Sequence, residues 1–156
     1  MKNRKTGYYI LFILIPLAVG GIGGFFTNMA MDRFKMLEKP FFQPPDIVFP
    51  IVWTILYVLM GVGMTRVWLS GSAVRRDALN LFSVQLTANF IWTLLFFTME
   101  LHFSAFIWLV MLTAIVSVMT KLFFDADSLA GKLQIPYIAW CIFALALNFA
   151  IWYLNR

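Results

Sequence analysis

Charge is what this chain has least of. Asp, Glu, Lys and Arg make up 12% of its 156 residues, while 62% are hydrophobic. An average soluble domain carries about 25% charged residues. A chain so poor in charge cannot cover a water-facing surface, which excludes a soluble enzyme, a nucleic-acid binder and a disordered segment. The net charge of +5 does not reopen nucleic acid as a partner, because no run of five or six basic residues exists. Cysteine occurs once, at Cys141, so no intrachain disulfide can form, and histidine occurs once, at His102. Zinc needs three or four His, Cys, Asp or Glu ligands converging on one point, so no metal site is expected. Methionine could ligate haem iron, but the nine methionines read as ordinary packing; no cofactor is expected. His102 has no buried acid within reach in the sequence, so hydrolytic catalysis has no nucleophile–base pair to use. Repeats and low-complexity segments are missing too. No unit relates the two halves, as it does in many secondary transporters.

What is present is apolar sequence in blocks. Five stretches lack Asp, Glu, Lys and Arg: 6–31, 47–65, 78–99, 101–120 and 133–155. Each approaches the roughly 20 residues that cross about 30 Å of hydrocarbon as a helix. Without water to satisfy the backbone, such segments are helices or barrel strands, and strands would be half as long and alternate in polarity. The reading is an all-α, integral membrane five-helix bundle, one domain over 1–156, with spans at about 7–28, 47–69, 78–99, 102–122 and 133–154. Membrane lipid is its surround. Lys2, Arg4 and Lys5 imitate the start of a signal peptide, but the apolar part from Tyr8 to Phe26 is too long for a signal core, so the segment is expected to remain as a helix. The spans hold no acid or base for a proton relay or charge-selective pore. Lys and Arg number eight on the side of the N-terminus and four on the other. That bias predicts a cell-membrane protein with its N-terminus in the cytoplasm.

The remaining polar and aromatic residues fall at helical spacing. Pro50, Trp53, Thr54, Tyr57 and Gly61 share one face of the second span. Gln85, Asn89, Trp92 and Phe96 do so in the third, and Tyr137, Trp140, Ala144 and Asn148 in the fifth. A bare amide facing lipid is costly, so these stripes should point into the bundle. Two readings are open. In one, the amides are glue between helices; in the other, they and the indoles line a pocket for a large flat apolar ligand. Trp68, Trp108 and Trp152 fit interfacial anchors better. Gly20, Gly21, Gly23 and Gly24 contain a GxxxG spacing, which suits either packing within the chain or a homodimer seam. The connection 29–46 is rich in aromatics and proline. Leu37 to Pro45 alone holds Pro40, Phe41, Phe42, Pro44 and Pro45. Either it lids a pocket or it is an interfacial connector, and Pro44 and Pro45 are placed to start the second helix.

Lys39-Pro40-x-Phe42-x-Pro44-Pro45 with Trp53 eight residues on, then Gln85-x-x-x-Asn89-x-x-Trp92, then Pro136-Tyr137-x-x-Trp140-x-x-x-Ala144-x-x-x-Asn148, resemble bacterial members of the translocator protein family. These are also called tryptophan-rich sensory proteins or peripheral-type benzodiazepine receptors (TspO/MBR). The likeness covers essentially the whole chain. It implies a five-helix bundle, commonly dimeric, with a cavity capped by the first loop, and porphyrins, sterols and synthetic lipophilic drugs as ligand classes. It implies ligand-binding roles for Trp53, Asn89, Trp140 and Ala144, joined on the stripes and lid by Phe34, Phe42, Pro44, Pro45, Tyr57, Gln85, Trp92, Tyr137 and Asn148. Some bacterial members degrade protoporphyrin in light, and the resemblance makes Trp53 and Trp140 the candidate catalytic pair. The family usually has tryptophan where this chain has Phe42, and often a hydroxylated aromatic near Phe34. The expected partner is a porphyrin or another lipophilic small molecule. Sterol or lipophile transport is the alternative. Leu147, Tyr153 and Arg156 formally fit a cholesterol-consensus pattern, which is weak on its own.

Overall fold

Residues 2–156 are described by the computed structural model, with side chains from residue 4. Five helices follow one another: α1 (Lys2–Met36), α2 (Val48–Ser70), α3 (Arg75–Thr93), α4 (His102–Ala126) and α5 (Ser128–Leu154). A π-helical turn, Leu94–Thr98, continues α3. All five are long and apolar enough to cross a membrane, so the protein is an integral membrane helix bundle. Around the bundle the order is α1, α2, α5, α4, α3, with α3 and its π turn returning to α1. Among the described residues α1 makes no backbone contact with α5.

Two boundaries differ from the sequence expectation. The connection read as 29–46 is helical as far as Met36, so only 37–47 leaves the helix. Nothing between Phe25 and Lys39 breaks a helix, and Arg33 and Lys35 in its last turn complement the negative end of the dipole. Phe34 therefore belongs to α1 and not to a loop. Pro44 and Pro45 precede α2 by a turn in which the Val48 N–H donates to the Pro45 carbonyl at 2.9 Å, and the proline inside the first helical turn is Pro50. The connection expected before the fifth span is a single residue, Asp127. Its carboxylate caps α5 by accepting from the Ala130 N–H at 2.7 Å.

With hydrocarbon outside, helices gain little from apolar burial and associate through close packing and hydrogen bonds. Gly61 shows the packing side: a Cβ there would meet the Phe12 carbonyl oxygen and the Ile13 Cα of α1, so the two backbones touch where no side chain intervenes. At the N-terminal end of the bundle Arg66 grips Asp127 through two bonds, Nε to Oδ1 at 2.9 Å and Nη2 to Oδ2 at 2.8 Å. This ties α2 to the α4–α5 junction. Trp68 at the same end packs on Tyr8 and Phe12 and takes the Arg75 guanidinium on its face, and Trp152 at the other end takes Arg156. Trp108 differs from the anchor expectation. Its indole N–H donates to the Ala88 carbonyl at 2.8 Å and joins α4 to α3.

The Arg66 guanidinium bonded to Asp127 holds that carboxyl below the usual aspartate range, with the Ala130 N–H assisting. A depressed carboxyl pKa adds stability that is complete above the unfolded-state value and is lost as pH falls through the folded one. Asp127→Asn keeps a capping oxygen but removes the charge. It is expected to cost about 1 kcal/mol at neutral pH, since the pair is partly exposed. In thermal unfolding of the detergent-solubilised protein the gap from wild type should narrow as pH falls below the ordinary aspartate range.

Candidate ligand-binding site

A cavity of about 510 Å³ lies in the half of the bundle away from the N-terminus. Four helices wall it and α4 does not take part. From α1 come Leu17, the Gly20–Gly24 region, Thr27, Asn28, Met31 and Phe34; from α2 and the residue run before it, Asp46, Phe49, Pro50, Trp53, Thr54 and Tyr57. The end of α3 with its π turn gives Trp92, Thr93, Phe96 and Phe97, and α5 gives Trp140, Phe143, Ala144, Leu147, Asn148 and Ile151. The wider turn places the neighbours Phe96 and Phe97 on the same cavity, and both pack on Phe34. Gly20 is there because a Cβ would run into the Tyr57 ring, whereas Gly21 and Gly24 have open space before them.

Of the residues expected at the site, Phe34, Trp53, Tyr57, Trp92, Trp140, Ala144 and Asn148 line this one cavity. Gln85, Asn89, Tyr137, Phe42, Pro44 and Pro45 are not in its lining. The first three sit beneath it in a closed network. Tyr57 Oη donates to Asn89 Oδ1 at 3.0 Å, and Asn89 Nδ2 donates to Tyr137 Oη at 3.3 Å. Tyr137 Oη in turn donates to Gln85 Oε1 at 2.8 Å, and Gln85 Nε2 lies 3.7 Å from the Met60 sulfur. Asn148 does border the cavity but is occupied. It accepts from the Trp92 indole N–H at 3.1 Å and donates to the His102 carbonyl at 2.8 Å. The amides therefore act as interhelical bonds joining α2, α3 and α5. Gln85 and Asn89 do not reach the void, and Asn148 borders it with both its oxygen and its nitrogen already bonded.

The polar groups that do face it are few. Thr27, Thr54 and Thr93 spend their hydroxyl protons on carbonyls of their own helices, at 3.0, 2.7 and 3.2 Å. The indole N–H groups of Trp53 and Trp140 have no acceptor among the described residues. Trp53 stacks on Tyr57, with centroids 5.4 Å apart and planes 29° apart, and lies 6.4 Å from Trp92. Trp140 packs against Phe49 and Phe143 at 5.9 and 5.2 Å. The site thus offers aromatic side chains with the two indole donors and the Asn28 amide unspent among the described residues. His, Cys, Asp and Glu form no group of three that could hold a metal among the described residues.

Phe42 reaches the site indirectly, edge-on to Phe143 at 6.4 Å. The connection that carries it is tied down at its start. The Glu38 N–H donates to Asn155 Oδ1 and Asn155 Nδ2 donates to the Glu38 carbonyl, both at 2.9 Å. Sequence periodicity did not single out the α1 wall, Asp46 or Phe49. Phe143, Leu147 and Ile151 follow the Trp140 stripe at i+3, i+7 and i+11, so that signal was available. The α1 wall has only its glycines to mark it.

Tyr57→Phe should lower stability by about 1 kcal/mol, and Asn89→Leu by about 1–3 kcal/mol, because the latter leaves the buried Tyr57 hydroxyl without an acceptor and takes a donor from Tyr137, which keeps its bond to Gln85. Chemical or thermal unfolding in detergent checks both. Equal stability in all three proteins would show that the network carries no load.

Comparison with known proteins agrees with this architecture. The TspO/MBR family model matches residues 12–154. A tryptophan-rich protein TspO of Archaeoglobus fulgidus is 37% identical over 92% of this chain and 94% of its own. Protein CrtK of Rhodobacter capsulatus is 34% identical over 96% and 93%, and the human translocator protein 32% over 90% and 86%.

Proposed function

This chain belongs to the TspO/MBR family, and on that premise we propose that it is a membrane receptor for flat lipophilic ring systems of the porphyrin type, taken up in the cavity between α1, α2, α3 and α5. The observation that carries this reading is the presence of Trp53 and Trp140 on one aromatic-lined, partly open cavity of about 510 Å³. That volume lies within the range of about 300–1,000 Å³ usual for small-molecule sites. Offset stacking on the indoles favours a wide planar π-system. The unspent indole N–H groups can donate to acceptors at its edge. The Tyr57–Asn89–Tyr137–Gln85 network forms the floor, and Asp46, from the connection 37–47, borders the far end. The excess of basic residues at the opposite end supports a cytoplasmic N-terminus in a cell membrane, an orientation in which ligand meets the protein from the outer leaflet side.

Quenching of intrinsic fluorescence by protoporphyrin in detergent or nanodiscs tests this. Trp53→Phe and Trp140→Phe are each expected to weaken binding by about threefold to tenfold, the worth of one aromatic stack. Trp68→Phe, outside the cavity, should leave it unchanged. Equal affinity in all four proteins would remove the proposed stacking role.

A further inference from the structure

One side chain in the cavity lining carries a formal charge, and it has no hydrogen-bond or ion-pair partner among the described residues. We propose that the Asp46 carboxylate sets the charge preference of the site, so that flat ligands with cationic or uncharged side groups are favoured over those bearing carboxylates. The inference rests on the cavity being a ligand site and adds which ligands it selects.

Asp46 sits in the turn before α2, exposed at the cavity's edge beside Phe49 and Pro50. Helix capping does not account for its carboxylate. The cap position is Ile47, no side chain caps α2, and only the backbone carbonyl of Asp46 is used, by the Phe49 N–H at 3.3 Å. No ion pair neutralises it either. At this end of the bundle Arg33 is engaged by Glu100 at 2.7 Å and by the Thr98 carbonyl. Arg156 lies on the Tyr153 ring, and Lys39 on the Phe34 ring 4.9 Å from its centroid. None of Arg33, Lys35, Lys39 and Arg156 belongs to the lining, and no ion pair joins Lys35 to Asp46.

The walls act in the same direction. Aromatic faces carry the negative side of the quadrupole, so a cationic arm lying over the face of Trp53, Trp140, Phe49 or Phe143 is attracted and an anionic one opposed. Apolar walls also screen an unpaired carboxylate less than water does. An ammonium, ester or amide arm on a flat ring thus finds attraction or indifference at Asp46, and a carboxylate arm finds repulsion.

The test uses the full chain in a neutral detergent and three probes with one macrocycle: protoporphyrin, its dimethyl ester, and its bis-amide ending in ammonium groups. Affinities are compared between variants for each probe, which cancels partition into micelles. Wild type is expected to bind the ammonium form tighter than the ester and the ester tighter than the diacid. In Asp46→Asn the ammonium-to-diacid ratio should fall about tenfold, and Asp46→Lys should push it further the same way. Raising salt should compress the ratio in wild type and leave Asp46→Asn nearly flat. A ratio identical in wild type and both variants, or a diacid that weakens in Asp46→Asn, overturns the inference while the binding reading stands. If wild type binds none of the three probes, the binding reading itself fails and this inference falls with it.

Discussion

A carboxamide in hydrocarbon must find its donor and acceptor inside the protein, and this bundle is arranged around meeting that demand. Gln85 and Asn89 on α3 meet Tyr57 of α2 and Tyr137 of α5 in one network, and Asn148 joins α5 to Trp92 and to the start of α4. Each bond is modest. Leaving any of these groups bare would be expensive, and that asymmetry fixes the rotation of three helices about their axes. Once they are fixed, Trp53, Trp92 and Trp140 have no choice of direction.

The two halves of the bundle then differ for a packing reason. Toward the N-terminus Gly61 lets α2 touch the α1 backbone, and the Arg66–Asp127 pair closes α2 onto the α4–α5 junction. Toward the other end the same helices bring bulky aromatics to a common space that their rings surround without filling. The absence of backbone contact between α1 and α5 leaves that space to be bounded by α2 on one side and by α3 with its π turn on the other. The result is a firm half carrying an open half. A site for a large rigid ligand needs such support, since groups held by locked neighbours do not have to be ordered on binding.

Electrostatics divides along the same line. Charges at the N-terminal end are numerous and, at Arg66 and Asp127, mutually satisfied. At the cavity end, Arg33 is taken by Glu100 and Lys39 by an aromatic ring, and Asp46 alone at the cavity is unengaged. An unengaged charge beside apolar walls is the kind of feature that discriminates among ligands of similar shape, where stacking alone would accept them all.

Much of this was legible beforehand. The number of spans and the inward face of each polar stripe, Trp53 and Trp140 included, follow from charge depletion and from the 3.6-residue period, because lipid forbids an exposed amide or an unpaired backbone. The periodicity could not say whether an inward amide would meet another side chain or a void. Gln85, Asn89 and Tyr137 form the floor while Ala144 and Asn148 border the space, although all were read from the same kind of stripe. Nor could it give the length of α1, the single-residue joint at Asp127, or the α1 wall. The sequence alone determined which residues must turn away from lipid, since that is a property of each group against its solvent. Only the tertiary structure decided which of them are consumed by one another and which remain free to meet a ligand, because that depends on distances between helices that no local pattern encodes.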